Sequence, residues 1–238
     1  MNSLQPLTNS TQAEQVLQLL HHDIISCKLA PGTKLSIVEC SKAYSVGTTP
    51  LREALSRLAA TGLVIAEGNR GFRVGSLSVD DLVDLTKTRL LIEDIALRAS
   101  IINGDLRWES EIVATAHRLG ISTVNTDKSL YLDGSWEERH FQFHAALVSA
   151  CGAKYLLNYW ESLYFAATRY RRWNSVNPTL GRKVEDENRA EDEHRAIMDA
   201  VLSRNAPKAV KLMHSHMIKL VHTNLTTDPN TKKDADAI

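Results

Sequence analysis

Residues 43–64, AYSVGTTPLREALSRLAATGLV, decide how this chain reads. Thr49 can serve as a helix N-cap with Pro50 at the first helical position, where a missing N–H costs nothing and a fixed φ favours the helix. Leu51, Ala54, Leu55 and Leu58 follow at i, i+3, i+4 and i+7, one apolar stripe with Arg52, Glu53, Ser56 and Arg57 on the opposite side. Gly62 stands where helices commonly close on a left-handed residue. A helix bounded in this way, with a short turn and a short helix before it, reads as the second helix of a helix-turn-helix, the element that enters the major groove.

Towards the N-terminus, Val16, Leu17, Leu20, Ile24 and Cys27 share one face of a helix expected from Thr11 to Cys27, and Pro31-Gly32 stops it. Ser36 and Glu39 have the spacing of a capping box, which opens a short helix to Ala43. Tyr44 to Thr48 is then the turn. Towards the C-terminus, Leu63 to Ala66 and Phe72 to Val74 are short β-rich runs around Glu67 to Gly71, a two-stranded hairpin and hence a wing. The expected organisation is a disordered start over 1–10 and a winged helix-turn-helix over 11–75, with a linker over 76–78.

From Val79 the pattern changes to long amphipathic helices without a strand signal. Ser78 caps the first, with Asp80 and Asp81 suiting the positive end of its dipole, and Asn103-Gly104 ends it. The second helix, from about Asp105 to Leu119, sets Trp108, Ile112, Thr115 and Leu119 on one side, and a Ser/Thr/Asn/Gly-rich loop follows over 120–134. Four more helices are expected over 135–150, 153–173, 180–204 and 207–225, and a disordered polar tail over 226–238. The fold class is therefore mainly α: a winged helix-turn-helix with a small two-stranded β wing, then an all-α antiparallel helix bundle over 79–225.

Composition narrows the function. The chain has 238 residues, 43% of them hydrophobic, which supports real cores. No run is long and apolar enough for a membrane span, and MNSLQPLTNSTQAEQ lacks the basic start and apolar core of a signal peptide, so a cytoplasmic protein is expected. Three widely spaced cysteines give neither a disulfide framework nor a CxxC metal pair. A formal net charge of zero means that any nucleic-acid contact comes from a local cluster of cations.

Three constellations carry chemistry. In the reading helix Arg52 is placed to donate two hydrogen bonds to guanine O6 and N7, with Thr48 and Thr49 beside phosphate or a thymine methyl. Lys42, Arg57, Arg70 and Arg73 are candidate phosphate contacts that position without reading sequence. For any one of these residues the plain alternative is a solvated charged face.

The second constellation is histidine. His140 and His144 are one turn apart on a face continued by Leu147 and Cys151, His194 shares a face with Met198 and Val201, and His216 with Ala209, Met213 and Leu220. Each alone could be an ordinary core histidine. Four imidazoles on three inward faces would be costly to bury separately, whereas one divalent cation satisfies all four lone pairs. The third is Arg89, which stands in the aliphatic stripe of Leu82, Leu85, Ile92 and Ala96 and so needs an anion. Either Glu93 supplies it as an internal salt bridge, or the planar fork receives the carboxylate of a bound small molecule.

These residues resemble a known family. Leu29-Ala-Pro-Gly32, Leu35, Thr49-Pro50, Arg52-Glu-Ala-Leu55, Arg57-Leu58, Gly62-Leu-Val64 and Arg70-Gly71 are similar to the winged helix-turn-helix of GntR-type bacterial regulators. His144, His194 preceded by Glu193, and His216 resemble the metal signature of the FCD ligand-sensing domain in the FadR subfamily. The resemblance implies a homodimeric transcription regulator, a repressor in most members, binding palindromic double-stranded operator DNA and a small organic carboxylate effector. It also implies a divalent metal held by these histidines. Two departures stand out. Gly47-Thr48 replaces the usual Ser-Arg before Thr-Pro, so a base-reading arginine is missing. His140 replaces the usual Asp, either as a fourth ligand that favours borderline metals such as zinc or nickel, or as a bystander. Two rivals are a metal-dependent hydrolase with a DNA-binding appendage, for which Glu187 or Glu191 would be the base, and a dimer with a purely structural metal.

Overall fold

The computed structural model describes residues 11–68, 71–124, 135–176 and 184–227. The expected disordered tail over 226–238 is corrected at its start, because Thr226 and Thr227 belong to the last helix among the described residues; its remainder, like the disorder expected over 1–10, lies outside the described residues. By internal contacts the chain divides into two compact units, Met1–Leu77 and Ser78–Ile238.

The first unit holds α1 (Gln12–Ile25), β1 (Lys34–Leu35), α2 (Ile37–Ala43), α3 (Thr48–Ala60), β2 (Val64–Ala66) and β3 (Phe72–Val74). Thr11 caps α1 through the Glu14 amide, and Ser36 caps α2 through the Glu39 amide, as its Ser-x-x-Glu spacing predicts. The apolar stripe of α3 is buried as expected, with Leu51, Ala54 and Leu55 at 0% and Leu58 at 2% exposure.

The start of α3 departs from expectation. The helix begins at Thr48 with Gly47 as its N-cap, and no side chain caps it. Thr49 is therefore not the cap, and Pro50 falls third in the helix rather than first. Proline is accepted there because the first four amides of a helix have no intrahelical partner. Gly62 has φ +77°, the left-handed closure its position suggests. The sheet also has three strands in the order β1-β3-β2, not the two of a simple wing. Lys34 and Leu35 pair antiparallel with Arg73 and Phe72. Two residues are too few to show an alternation, which is why β1 left no pattern to read.

Asp23 fixes the helix-turn-helix from behind. It is 6% exposed and accepts the Tyr44 hydroxyl at 2.7 Å and the Lys28 ammonium at 3.0 Å, tying α1 to the turn before α3.

The second unit is a bundle of α4 (Val79–Asn103), α5 (Leu106–Val124), α6 (Ser135–Val148), α7 (Lys154–Val176), α8 (Val184–Leu202) and α9 (Ala206–Thr227). Ser78 caps α4 through the Asp81 amide. The expected loop over 120–134 starts later, because α5 runs on to Val124, and residues 125–134 lie outside the described chain. One core joins Leu97, Ile101, Trp108, Ile112, Phe143, Leu147, Ile197, Val201 and Met213, and a smaller one around Ala96, Val148, Trp160 and Tyr164 seats α7. The three cysteines are buried thiols, and none is in a disulfide among the described residues. No helix among the described residues is long and apolar enough to cross a membrane.

At the far end of α4 the chain turns under Trp108. A Cβ on Gly104 would lie 2.0 Å from Trp108 Cε3, so only glycine fits beneath the ring. Arg204, in the α8–α9 joint, lies 5.0 Å over the Trp108 ring and donates to the carbonyls of Ile101 (2.6 Å) and Gly104 (2.9 Å) and to the Glu109 carboxylate. It satisfies carbonyls that the end of α4 leaves without intrahelical donors.

Candidate functional site

In the first unit Thr48, Thr49 and Arg52 are exposed at the N-terminal turn of α3, and Lys42 is exposed near the end of α2. Two of the expected phosphate contacts are already engaged. Arg57 pairs with Glu14 at 2.7 Å, both side chains being partly solvated. Arg73 donates to Glu67 at 2.7 Å and to the Gly32 carbonyl at 2.7 Å, which binds the wing to the loop before β1. Arg70 lies outside the described residues. Arg52 thus stands exposed at the N-terminal end of α3, the part of a reading helix that faces base edges.

In the second unit α6, α8 and α9 bring four histidines to one point. One ring nitrogen from each of His140, His144, His194 and His216 lies within 4.8 Å of all the others. His140, His144 and His194 are buried at 3%, 3% and 6% exposure. Nε2 of His140 and Nε2 of His144 face each other at 3.2 Å.

The outer nitrogens are also placed. Nδ1 of His140 meets the Tyr164 hydroxyl at 2.6 Å, and Nδ1 of His216 meets Glu193 at 2.9 Å. A proton on each Nδ1 leaves Nε2 as an inward lone pair, the arrangement in which outer partners orient metal-binding imidazoles. Burial pushes His140 and His144 well below the ordinary histidine range, with the neighbouring histidines and Arg171 adding to it. That favours the neutral imidazole at His140 and His144, the form that donates a lone pair. Four imidazole nitrogens on three helices suit a borderline divalent ion better than a hard, carboxylate-seeking one. The donor set fits a metal.

Around the histidines lies a layer that the sequence reading missed. Tyr164 also accepts from Arg171 at 3.3 Å, and Arg171 in turn donates to Thr168 at 2.8 Å and pairs with Glu137 at 2.8 Å. Burial opposes the charge on Arg171, yet Glu137 and Tyr164 outweigh it and hold the guanidinium protonated. Tyr164, Thr168 and Arg171 recur at i, i+4 and i+7, a polar stripe on an inward face, and that was the available signal. Trp136 stacks on the His140 ring at 4.6 Å between centroids.

Arg89 is buried at 8% exposure with its guanidinium carbon 5.8 Å from the centre of the Tyr164 ring. Burial draws it down to about 10, with Arg171 acting the same way and Glu93 and Tyr164 opposing. Glu93 does not close on it as an ion pair: its Oε2 accepts the Trp160 indole N–H at 2.6 Å, and Oε1 has no hydrogen-bond partner. Among the described residues Arg89 makes neither a hydrogen bond nor an ion pair; its guanidinium faces the Tyr164 ring, and its charge is felt at His144.

Comparison with known proteins decides the family. Residues 12–74 match the family described as bacterial regulatory proteins, gntR family, and residues 84–219 match the FCD domain. The chain belongs to the GntR family. It is 36% identical over 205 residues to the "Uncharacterized HTH-type transcriptional regulator BphR" of Paraburkholderia xenovorans (strain LB400), covering 86% of this chain and 81% of that one. It is 35% identical over 200 residues to the "HTH-type transcriptional repressor GlaR" of Escherichia coli (strain K12), covering 84% and 89%. Among solved structures, E. coli McbR/YncC superposes with a TM-score of 0.73 at 17% identity, covering 91% of this chain and 99% of that one. A GntR regulator from Rhodococcus sp. RHA1 gives 0.72 at 20% identity over 91% and 99%. Those two likenesses speak for the fold.

This GntR-family protein is thus a DNA-binding transcriptional regulator with an FCD domain, and not an enzyme. The hydrolase reading falls on family grounds. Local geometry agrees for Glu191, whose carboxylate is engaged by Arg195 at 3.3 Å; the Glu187 side chain is outside the description.

Proposed function

We propose that this regulator is a metal-dependent, effector-responsive repressor. His140, His144, His194 and His216 hold one divalent ion, zinc or nickel, and Arg89 receives the carboxylate of a small organic acid beside it. The bound ion would supply a positive, polarising centre facing that carboxylate. Arg89 adds a planar two-donor fork, and Tyr164 and Glu193 keep His140 and His216 turned with Nε2 inward. The protein works as a homodimer in the cytoplasm, with two α3 helices on a palindromic operator read chiefly by Arg52 and supported by Thr48, Thr49, Lys42, Arg57, Arg70 and Arg73. Domain limits of 11–75 for the reading head and 79–225 for the sensor go with this reading.

Regulation follows from differential binding. An effector alters operator occupancy only to the extent that it prefers one arrangement of the two heads over the other. The observation that carries the proposal is the meeting of four ring nitrogens within 4.8 Å beside a buried arginine that no carboxylate closes on. Support also comes from relatives whose names call them repressors.

The test is elemental analysis of protein purified without a chelator or a polyhistidine tag, followed by operator binding with and without a panel of mono- and dicarboxylates. About one metal per chain, and release from operator by part of the panel, are expected. A folded protein that takes up no metal on reconstitution would overturn the four-histidine assignment. Metal retention with operator binding indifferent to the whole panel would leave the structural-metal rival in place.

A further inference from the structure

Inside the second unit, α4 and α7 face each other with two matched pairs of side chains. On α4, Arg89 and Glu93 are one helical turn apart and buried, Glu93 at 2% exposure. On α7, Trp160 and Tyr164 are also one turn apart and buried, with ring centroids 5.4 Å from each other. Each charged group meets the part of an aromatic that suits it. The Arg89 guanidinium carbon lies 5.8 Å from the centre of the Tyr164 ring, whose electron-rich face attracts a cation. The Glu93 Oε2 accepts the indole N–H of Trp160 at 2.6 Å.

This division runs against the simplest expectation, since opposite charges one turn apart on a helix are well placed to close on each other, and burial sharpens the need. The two charges do act on each other: after burial, each is the largest influence on the other's ionisation. Yet no hydrogen bond or ion pair joins them among the described residues, and Glu93 Oε1 has no hydrogen-bond partner there.

We propose that Trp160 is a positioning residue for Arg89: its indole N–H holds the Glu93 carboxylate away and so keeps the guanidinium fork open for a carboxylate from outside. The fork carries five N–H donors, and a bidentate partner takes two of them in one plane. A carboxylate of the same helix closing on it would occupy those donors without any ligand, and the effector would have to displace it. An indole suits this task because it offers a donor and no acceptor. It holds the glutamate and gives the arginine nothing to bind instead. Tyr164 adds no competing acceptor, because its hydroxyl is engaged by Nδ1 of His140 and by Arg171, and its ring is what Arg89 meets.

The inference rests on the reading of Arg89 as the effector's anchor, and its test separates the two. Crystal structures and calorimetric titrations with acetate and succinate compare the zinc-loaded full chain as wild type, Trp160→Phe, Glu93→Gln and the double variant. Trp160→Phe keeps an aromatic ring and removes the N–H. Its structure should show Glu93 bonded to Arg89, and the acid that the wild type binds should bind about tenfold more weakly, because a close charge pair must now be broken. Glu93→Gln keeps an acceptor for Trp160 and cannot form the ion pair, so it binds that acid at least as tightly as the wild type. The double variant carries the same smaller ring as Trp160→Phe, yet returns to within about threefold of Glu93→Gln, a rescue that lost packing would not give. A Trp160→Phe structure with Glu93 still apart from Arg89, or a double variant no tighter than Trp160→Phe, would refute the role of Trp160 and leave Arg89 as the anchor. A wild type that binds neither acid, or an Arg89→Ala variant that binds them equally well, would remove the anchor and this inference with it.

Discussion

Replacing Tyr164 with Phe removes one oxygen from a buried ring and should weaken metal binding without unfolding the protein. Nδ1 of His140 lies 2.6 Å from that oxygen, and Tyr164 and His140 are 1% and 3% exposed, so no water takes its place. In the metal-loaded form the Nε2 lone pair of His140 is committed, the proton must sit on Nδ1, and in the variant that N–H has no acceptor. In the metal-free form the proton can move to Nε2 and face Nε2 of His144, 3.2 Å away, which spares the penalty. The cost of an unsatisfied buried donor, about 1–3 kcal/mol, therefore falls on the loaded state alone. Each 1.4 kcal/mol is a factor of ten, so the metal should bind about 10- to 100-fold more weakly, the usual size of an outer-partner effect. Arg171 loses its 3.3 Å contact but keeps Glu137 and Thr168, both at 2.8 Å, so the fold should hold. Competition for zinc against a chromogenic chelator reads the affinity, and long-range ¹H–¹⁵N correlation of the loaded protein reads which nitrogen of His140 carries the proton. Zinc affinity within twofold of wild type, or a loaded wild type with the proton on Nε2 of His140, would refute the reasoning.

Arg52→Ala should lose about 1–3 kcal/mol of operator affinity, with the loss concentrated in discrimination between base sequences, while metal content and assembly stay as in the wild type; unaltered specificity in a binding-site selection would reject Arg52 as the reader. Arg89→Ala should bind operator normally and no longer be released by a carboxylate that releases the wild type, and a gel-shift titration with unchanged response would return Arg89 to a structural role. Gly104→Ala should destabilise by about 1–3 kcal/mol, because the added carbon lies 2.0 Å from the Trp108 ring while the backbone there, at φ −64°, accepts any residue; an unchanged urea midpoint would show that the ring gives way freely. Stripping the metal with a chelator should lower the melting temperature, since a ligand at a thousandfold excess over its Kd adds about 4 kcal/mol to the native state, and calorimetry before and after reconstitution measures it.

What could be read ahead of the structure followed periodicity. The stripe of α3, the Ser36–Glu39 and Ser78 caps, the left-handed Gly62 and the convergence of His140, His144, His194 and His216 all repeat at helical spacing or sit at a helix end. Lys34-Leu35 carried no such signal, since two residues cannot display an alternation, and their pairing depends on β3 some forty positions away. The start of α3 was displaced by two residues because Thr49 before Pro50 is a good polar cap candidate, whereas the helix opens from Gly47 with no side-chain cap. At the site, direct ligands were legible because imidazoles are conspicuous on apolar faces. Their supports were not, because Tyr164 passes as core and Arg171 and Glu137 pass as surface until the fold places them within 3 Å of each other. Glu93 was the reverse case: one turn from Arg89 it looked like the natural counterion, and only the structure shows its carboxylate turned to Trp160.

The joint at Arg204 bears on how a signal can leave the sensor. By gripping the last carbonyls of α4, the ring of Trp108 and Glu109 together, this side chain makes the α8–α9 hairpin and the far end of α4 a single rigid frame. His194 and His216 ride on the hairpin and Arg89 rides on α4, so these three share one frame of reference. His140 and His144 are tied to the same frame, because the Trp108 indole N–H donates to the Ala146 carbonyl of α6 at 2.8 Å, and Tyr164 is tied to it through α7, whose Trp160 donates to Glu93 of α4 at 2.6 Å. If the site tightens on a ligand, whole helices must therefore move together rather than single side chains, and α4 can behave as a stiff spindle that turns as one piece.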